Sequence, residues 1–227
     1  MKSPAETATG LRGAAATLRR PAPPELLAEI WHVAQDLPVF LTAPLYRSWH
    51  LRWGATAAEV AAPLPGDALV PAAQYRSTRA ITIAAPPGQV WPWLVQAGCL
   101  RVGFYSNDLL DNLARPSAIT VIPALQHLEV GQLIPMSPPG TASERTAFKV
   151  HSFQGNQWLL WSKPDSTWAW SLTPTSTGGT RLVTRIRALY DWQHPLAGLT
   201  ALVLMEFGDF AMLRRMLRGI KARAEAQ

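Results

Sequence analysis

The chain has 227 residues, of which 48% are apolar and 16% are charged, and its formal net charge is +6. This length suffices for one domain with a real core plus an extension. Cys99 is the only cysteine, which excludes an intrachain disulfide, and we expect a reducing, cytoplasmic location. The charge comes mainly from arginines near both ends, but no recognisable nucleic-acid module accompanies them, so no nucleic-acid partner is expected.

The first 23 residues are rich in Ala, Thr, Pro and Arg without periodicity and are predicted to form a flexible arm. Their charges are not followed by an uninterrupted apolar core, so no secretory signal is predicted. Residues 24–74 are predicted to form a helical and irregular N-terminal extension. Its helix should begin at Pro24 and end near 36–38, because apolar residues recur at helical spacing in Leu26, Leu27, Ile30, Trp31 and Ala34.

Residues 39–53 mix aromatic and basic side chains. Such a stretch can pack over the main domain or lie at a membrane interface, and packing is the preferred interpretation. A further helical turn is predicted from Thr56 to Ala62, followed by a loop rich in Pro and Gly.

The predicted main domain covers residues 75–227. A strand at Thr78–Ala84 is followed by two short helices, one opening at Pro87 and one at Asn107–Leu113. Short strands then follow at 128–134, 146–153, 157–162, 167–173 and 180–190, and a long helix runs from Leu196 to about Arg223. This order predicts an α+β fold with an antiparallel meander closed by a helix.

Several stretches of this domain resemble one superfamily. They are Arg79-Ala80-Ile81-Thr82-Ile83, Pro86-Pro87, the run from Val90 to Gln96, Gly103-Phe104-Tyr105-Ser106 and the ending from Phe210 to Glu225. Together with the element order they are similar to the SRPBCC superfamily, which includes START-related, birch-pollen-allergen-like and polyketide cyclase/dehydrase-like proteins. The resemblance covers about residues 75–225. It implies a helix-grip fold, in which a curved antiparallel sheet of six to seven strands wraps the C-terminal helix around a hydrophobic cavity.

Aromatic and polar residues are the candidates for lining that cavity. Trp168 and Trp170 share one face of a strand and Trp91 lies on the first helix, so they form either a wall for a large apolar ligand or core filling. Tyr105 and Asn107 lie in a polar segment where the resemblance places the cavity entrance, although a loop cap explains that segment equally well. Arg79 is the candidate for an inward charge, whereas Arg181, Arg185 and Arg187 are expected to face solvent.

Glu206 falls near the middle of the apolar face predicted for the C-terminal helix, with Asp209 at its margin and Phe210 beside it. A carboxylate there needs a partner, a ligand or a proton, because burying it unpaired is very costly. We expect a structural ion pair with an arginine such as Arg79, a contact to ligand, or a role as a general acid. Glu206 and Asp209 are therefore the candidate catalytic residues. The apolar run from Leu196 to Leu213 is interpreted as a core helix.

The leading hypothesis is that the protein binds a hydrophobic small molecule, a lipid, polyketide or aromatic metabolite, in a tryptophan-lined cavity. Its candidate contacts are Trp91, Tyr105, Asn107, Trp168, Trp170, Arg79, Glu206 and Phe210. A cyclase or dehydratase acting on a polyketide-like substrate, and a membrane- or protein-interaction module built on the extension, are the alternatives. No phosphate loop, dinucleotide fingerprint or zinc motif is present, so no cofactor and no metal are expected.

Overall fold

A computed structural model describes residues 21–136 and 147–227 of the chain. Before the sheet come helix α1 (Pro23–Thr42), a 3₁₀ turn (Ala43–Tyr46) and the short helices α2 (Arg47–His50) and α3 (Ala57–Ala61). Strand β1 (Tyr75–Ile83) is followed by helices α4 (Pro87–Gln96) and α5 (Asp108–Asp111) and by a second 3₁₀ turn (Pro123–Leu125).

The remaining strands are β2 to β6, at Leu133–Pro135, Ala147–Gln154, Trp158–Lys163, Ser166–Pro174 and Thr180–Ala188. They form one curved antiparallel sheet in the order β1-β6-β5-β4-β3-β2. The chain ends on helix α6, a π-helical turn and helix α7, at Pro195–Val203, Leu204–Gly208 and Asp209–Glu225. This is the predicted α+β helix-grip architecture, with six strands among the described residues.

The core lies between the concave face of the sheet and α7. Because side chains alternate along a strand, β4, β5 and β6 send Trp161, Trp168 and Leu182 to this face. Helix α7 meets them with residues at helical spacing, including Leu213 and Leu217, which are at most 4% exposed. The second half of the C-terminal helix is therefore the gripped element.

The extension covers the free edge and the outer face of the sheet. Thr78 donates its backbone N–H to the carbonyl of Leu51 at 2.7 Å, so the edge of β1 is paired. On the outer face, Arg185 binds Asp67 at 2.6 Å and three carbonyls at the C-terminal end of α3, and Arg181 binds Glu59 at 2.7 Å. The expectation that these arginines face solvent is wrong, because residues 54–71 cover them.

Helix α1 is longer than predicted. The sequence indicated an end near 36–38, but α1 continues through Pro38 to Thr42. Pro38 lies on the exposed side of the helix, where water can hydrate the carbonyl that loses its N–H partner. The hydroxyl of Thr42 in turn donates to the Pro38 carbonyl at 2.6 Å.

The C-terminal helix does not present one continuous apolar face to the core. The π-helical turn inserts a residue and rotates the following face by about 100°. Leu199 and Val203, predicted to face the core, are 53% and 46% exposed. The prediction of a core helix is thus correct for α7 and wrong for α6. Among the described residues, Pro195–Glu225 is also the one helix long and apolar enough to cross a bilayer, and 22% of its most apolar stretch is buried.

Candidate functional site

Tryptophans fill the space between sheet and helix. Trp161, Trp168 and Trp170 form a cluster with ring centroids 5.0 to 6.0 Å apart, and Trp93 of α4 belongs to the same core. Trp91 packs at the margin of this core, with its ring centroid 6.3 Å from that of Phe153. The tryptophans on β4, β5 and α4 therefore fill the core between the sheet and α7.

Three of these indoles have unsatisfied donors. The Nε1–H groups of Trp93, Trp161 and Trp170 are buried and make no hydrogen bond to any described residue. Trp168, by contrast, donates to the hydroxyl of Thr184 at 2.9 Å. A buried donor without a partner costs about 1–3 kcal/mol, so three such donors in one core mark a region where an acceptor is favoured.

A pocket of about 450 Å³ opens at the predicted entrance, between α1, the loop before α5 and α7. We call it the entrance pocket. Its lining includes Tyr105, Ser106 and Asp108 from the loop and first turn, together with Glu29, His32, Asp36 and Val39 of α1 and Arg214, Arg215, Arg218 and Arg223 of α7. The ring of Tyr105 lies against Trp93 at 5.6 Å, so this one side chain belongs both to the pocket wall and to the tryptophan core.

Among the described residues, three of the four arginines have no carboxylate partner. Arg215 is held by Asp36 at 2.7 Å, and Arg223 donates to the carbonyl of Ala118 at 2.8 Å. Arg214 and Arg218 instead place their guanidinium carbons 6.0 and 5.7 Å from the ring centroid of Trp53. Burial, followed by the charges of Arg214 and Arg215, lowers the pKa of Arg218. The four arginines outnumber the three carboxylates of the lining, Glu29, Asp36 and Asp108, and an anion can bind at the arginines that have no carboxylate partner.

The two carboxylates of α5, Asp108 and Asp111, differ in their hydrogen-bond partners. Asp108 accepts hydrogen bonds from Ser117, but both oxygens of Asp111 are buried without a hydrogen bond from the described residues, and the Ser106 hydroxyl donates to the Met212 carbonyl instead. Burial, followed by the charge of Asp108, raises the pKa of Asp111 to about 8. Asp111 is therefore mostly protonated at neutral pH.

Glu206 lies on the other side of the helix from the tryptophan core. Arg47 of α2 donates to its two oxygens at 2.7 and 2.9 Å, and the Tyr190 hydroxyl donates at 3.2 Å. The expectation of an ion pair is met, but the partner is Arg47 rather than Arg79. Phe210 also lies outside the tryptophan cluster, against Trp49, His50 and neighbouring aromatic rings of the extension.

Arg79 is fully buried, as predicted for an inward charge, and its partner is Asp209. It also donates to the carbonyl of His50 at 2.7 Å and to the Tyr75 hydroxyl at 3.2 Å. Burial, followed by the charge of Asp209, raises the pKa of Tyr75. Glu206 is bound to Arg47 of the extension and Asp209 to Arg79 of β1, so neither carboxylate faces the tryptophan core.

Asn107 is the remaining candidate ligand contact. Asn107 is fully buried and its amide nitrogen lies 3.2 Å from Asp36, which places it beside the entrance pocket. A second cavity of about 530 Å³ lies on the outer face of the sheet, between the extension and β6, and includes Arg52, Arg76 and Asp67. In the ranges 21–136 and 147–227, no group of three or more metal-ligating side chains is assembled.

Sequence reasoning missed Arg47, Arg214, Arg218 and Asp111. For Arg214 and Arg218 a signal was present, because they recur at helical spacing with Arg215 on a helix whose preceding stretch is apolar. The position of Arg47 depends on the path of the extension, and that of Asp111 on the packing of α5 against α1, so neither follows from local sequence.

No family model and no curated protein matches this chain. Solved structures do match at low similarity. A Mesorhizobium loti protein is 16% identical, with 67% of this chain and 98% of that chain covered and a TM-score of 0.39. A Staphylococcus saprophyticus protein is 14% identical, with 66% and 92% covered and a TM-score of 0.41. A Polyketide_cyc-like protein from Corynebacterium glutamicum is 18% identical, with 66% and 90% covered and a TM-score of 0.38. At these values the matches carry no argument about what this chain binds.

Proposed function

We propose that this protein binds a hydrophobic small molecule that carries an acidic group, such as a lipid, polyketide or aromatic acid. The observation that carries this proposal is the pairing of two surfaces at Tyr105. On one side lie Arg214 and Arg218, for which residues 21–136 and 147–227 supply no carboxylate partner, and on the other lies Trp93 of the tryptophan core.

The two parts of the ligand have different tasks. Its anionic group binds the arginines of the entrance pocket through charge-assisted hydrogen bonds, which are about twice as strong as neutral ones. Its apolar part passes Tyr105 and contacts the tryptophans. A carbonyl or ether oxygen on that part accepts from an indole N–H that otherwise has no partner, which offsets the cost of burying that donor.

The most direct experiment is to denature the purified protein and identify what it releases by mass spectrometry. We expect a defined apolar acid. Release of a cationic or strongly polar compound contradicts the proposal. When nothing is released, binding of a charged aromatic probe, anilinonaphthalene sulfonate, is compared with that of its uncharged relative phenylnaphthylamine.

Variants separate the two surfaces. Arg214→Gln combined with Arg218→Gln should weaken the charged probe about tenfold and leave the uncharged probe unchanged, since two charge-assisted contacts contribute on this scale. Arg52→Gln removes a charge outside the entrance pocket and is the matched control. Trp168→Ala with Trp170→Ala should weaken both probes. Equal loss of both probes in the arginine variant, or no loss, would contradict the assignment of the pocket.

A further inference from the structure

Helix α1 turns its charged side inward and its apolar side outward. Its charged or titratable residues recur at helical spacing at Glu25, Glu29, His32 and Asp36, and all four are partly buried toward the protein. The exposed side chains are mostly apolar, including Leu27 at 67%, Trp31 at 63% and Leu41 at 63%. A helix packed on a globular domain in water has the opposite arrangement.

Helix α6 adds a second outward apolar surface. From Pro195 to Met205 the chain has no Lys, Arg, Asp or Glu, and Leu196, Leu199 and Leu204 are 82%, 53% and 56% exposed. The π-helical turn that follows α6 contacts α1 and the 3₁₀ turn after it, so the two surfaces are neighbours. Twelve of the nineteen exposed large apolar side chains among the described residues lie within residues 26–49 and 196–204. Such a concentration marks an interaction surface.

We call this exposed apolar surface of α1 and α6 the outer face; it is distinct from the outer face of the sheet. We propose that it docks the protein on the surface of an anionic lipid bilayer. Trp31, Trp49 and the nearby Trp192 are each more than half exposed, and tryptophan is the residue type favoured at the bilayer interface. The chain that leads directly into α1 carries Lys2, Arg12, Arg19 and Arg20 against Glu6 alone, so its charge complements anionic headgroups.

The mode is interfacial rather than spanning. Helix α6 continues into α7, whose apolar face is buried against the sheet, so the full helix cannot enter a bilayer without unfolding the core. The Arg47 to Glu206 pair ties α2 to the π-helical turn at the inner border of the outer face. A helix with one broad apolar face then lies in the interface plane and buries that face about 5–10 Å deep.

Flotation of the full-length protein with vesicles tests the proposal. Vesicles of phosphatidylcholine containing phosphatidylglycerol should carry the protein to the top of the gradient, and pure phosphatidylcholine vesicles should do so weakly. Trp31→Ser with Leu41→Ser should lower partitioning at least about tenfold, because two apolar side chains lose their burial. Arg19→Gln with Arg20→Gln should lower binding to the anionic vesicles only.

Ile119→Ser is the matched control, since Ile119 is 82% exposed outside the outer face, and its partitioning should be unchanged. Far-ultraviolet circular dichroism and urea unfolding show that each variant is folded. Failure of the wild-type protein to bind either vesicle overturns the proposal. So does a dimer in sedimentation that Trp31→Ser with Leu41→Ser dissociates without any vesicle binding, which would make the outer face an interface between two copies. Neither variant residue lines the entrance pocket, so this test is independent of the small-molecule proposal.

Discussion

The two halves of the C-terminal helix differ in what they contact, although both contain leucines at helical spacing. In α7, Leu213, Leu217 and Ile220 are at most 4% exposed beneath the sheet, whereas in α6 Leu196 and Leu199 are more than half exposed. The π-helical turn between them also separates their carboxylates, because Asp209 joins a buried network and Glu206 joins a partly exposed one. Apolar composition alone therefore does not identify the core; the position of each face relative to the sheet does.

The largest expected effect distinguishes the two carboxylates. Arg79→Met leaves Asp209 buried without its cation, and breaking a buried pair on one side costs about 3–5 kcal/mol. Arg47→Met removes the partner of Glu206, but Arg47 is 42% exposed, so a loss below about 1 kcal/mol is expected. Urea unfolding of both variants measures the difference. Equal losses would mean that the two ion pairs are buried alike.

Core truncation gives the next effect. Leu217→Ala should lower the free energy of unfolding by about 3 kcal/mol, because it opens a cavity between α7 and the sheet. Leu199→Ala, on the outward half, should change it by less than about 0.5 kcal/mol. The same unfolding assay tests both. A large loss for Leu199→Ala would place α6 in the core and remove the contrast between the two halves.

A smaller effect is the pH dependence of stability that Asp111 causes. Burial and the charge of Asp108 raise its pKa, and the charge of Glu29 on α1 raises it further. The unfolded chain releases this proton near pH 4 and the folded chain near pH 8, so between these values the folded state binds more protons and stability falls as pH rises. Asp111→Asn cannot ionise. It should therefore stabilise the protein at pH 8, on the order of 2 kcal/mol, and have little effect at pH 4.

Thermal unfolding at the two pH values checks this prediction. Asp165→Asn makes the same change at a half-exposed side chain outside this region and is the matched control. The same effect of Asp111→Asn at both pH values would contradict the prediction. It would mean that Asp111 is ionised at neutral pH and that its carboxylate is not desolvated.

Periodicity predicted most of the fold because strands and helices with one buried face repeat their apolar residues regularly. The placement of Trp168 and Trp170 on one face, the helix beginning at Pro87 and the helical turn after Thr56 are confirmed by the structure. The first residue of the strand predicted at 146–153 lies outside the described residues, as does most of the arm predicted at 1–23. The domain boundary at residue 75 and the cytoplasmic location stay predictions.

The errors about which side chains are buried share one physical origin, because partners distant in sequence decide which face of an element is covered. A regular α-helical projection predicted that Glu206 faces the sheet. In the structure Glu206 lies in the π-helical turn and contacts Arg47, 159 residues away in the sequence. Local sequence does not show that the charged side of α1 faces the protein, because this orientation depends on the ion pair between Asp36 and Arg215 of α7. Local sequence gives the period of an element, whereas the tertiary contacts give its orientation.

Thiol labelling tests the opposite orientation of the two halves most directly. Cys99 is 3% exposed and burial raises its pKa to about 11, so the background reaction with a maleimide is slow. Leu199→Cys on α6 should react about a hundredfold faster than Met216→Cys on α7, whose side chain is 2% exposed and reacts only when the core opens. Anionic vesicles should slow the reaction of Leu199→Cys alone. Equal labelling rates for the two variants in the absence of vesicles would contradict an outward α6 and the outer face built on it.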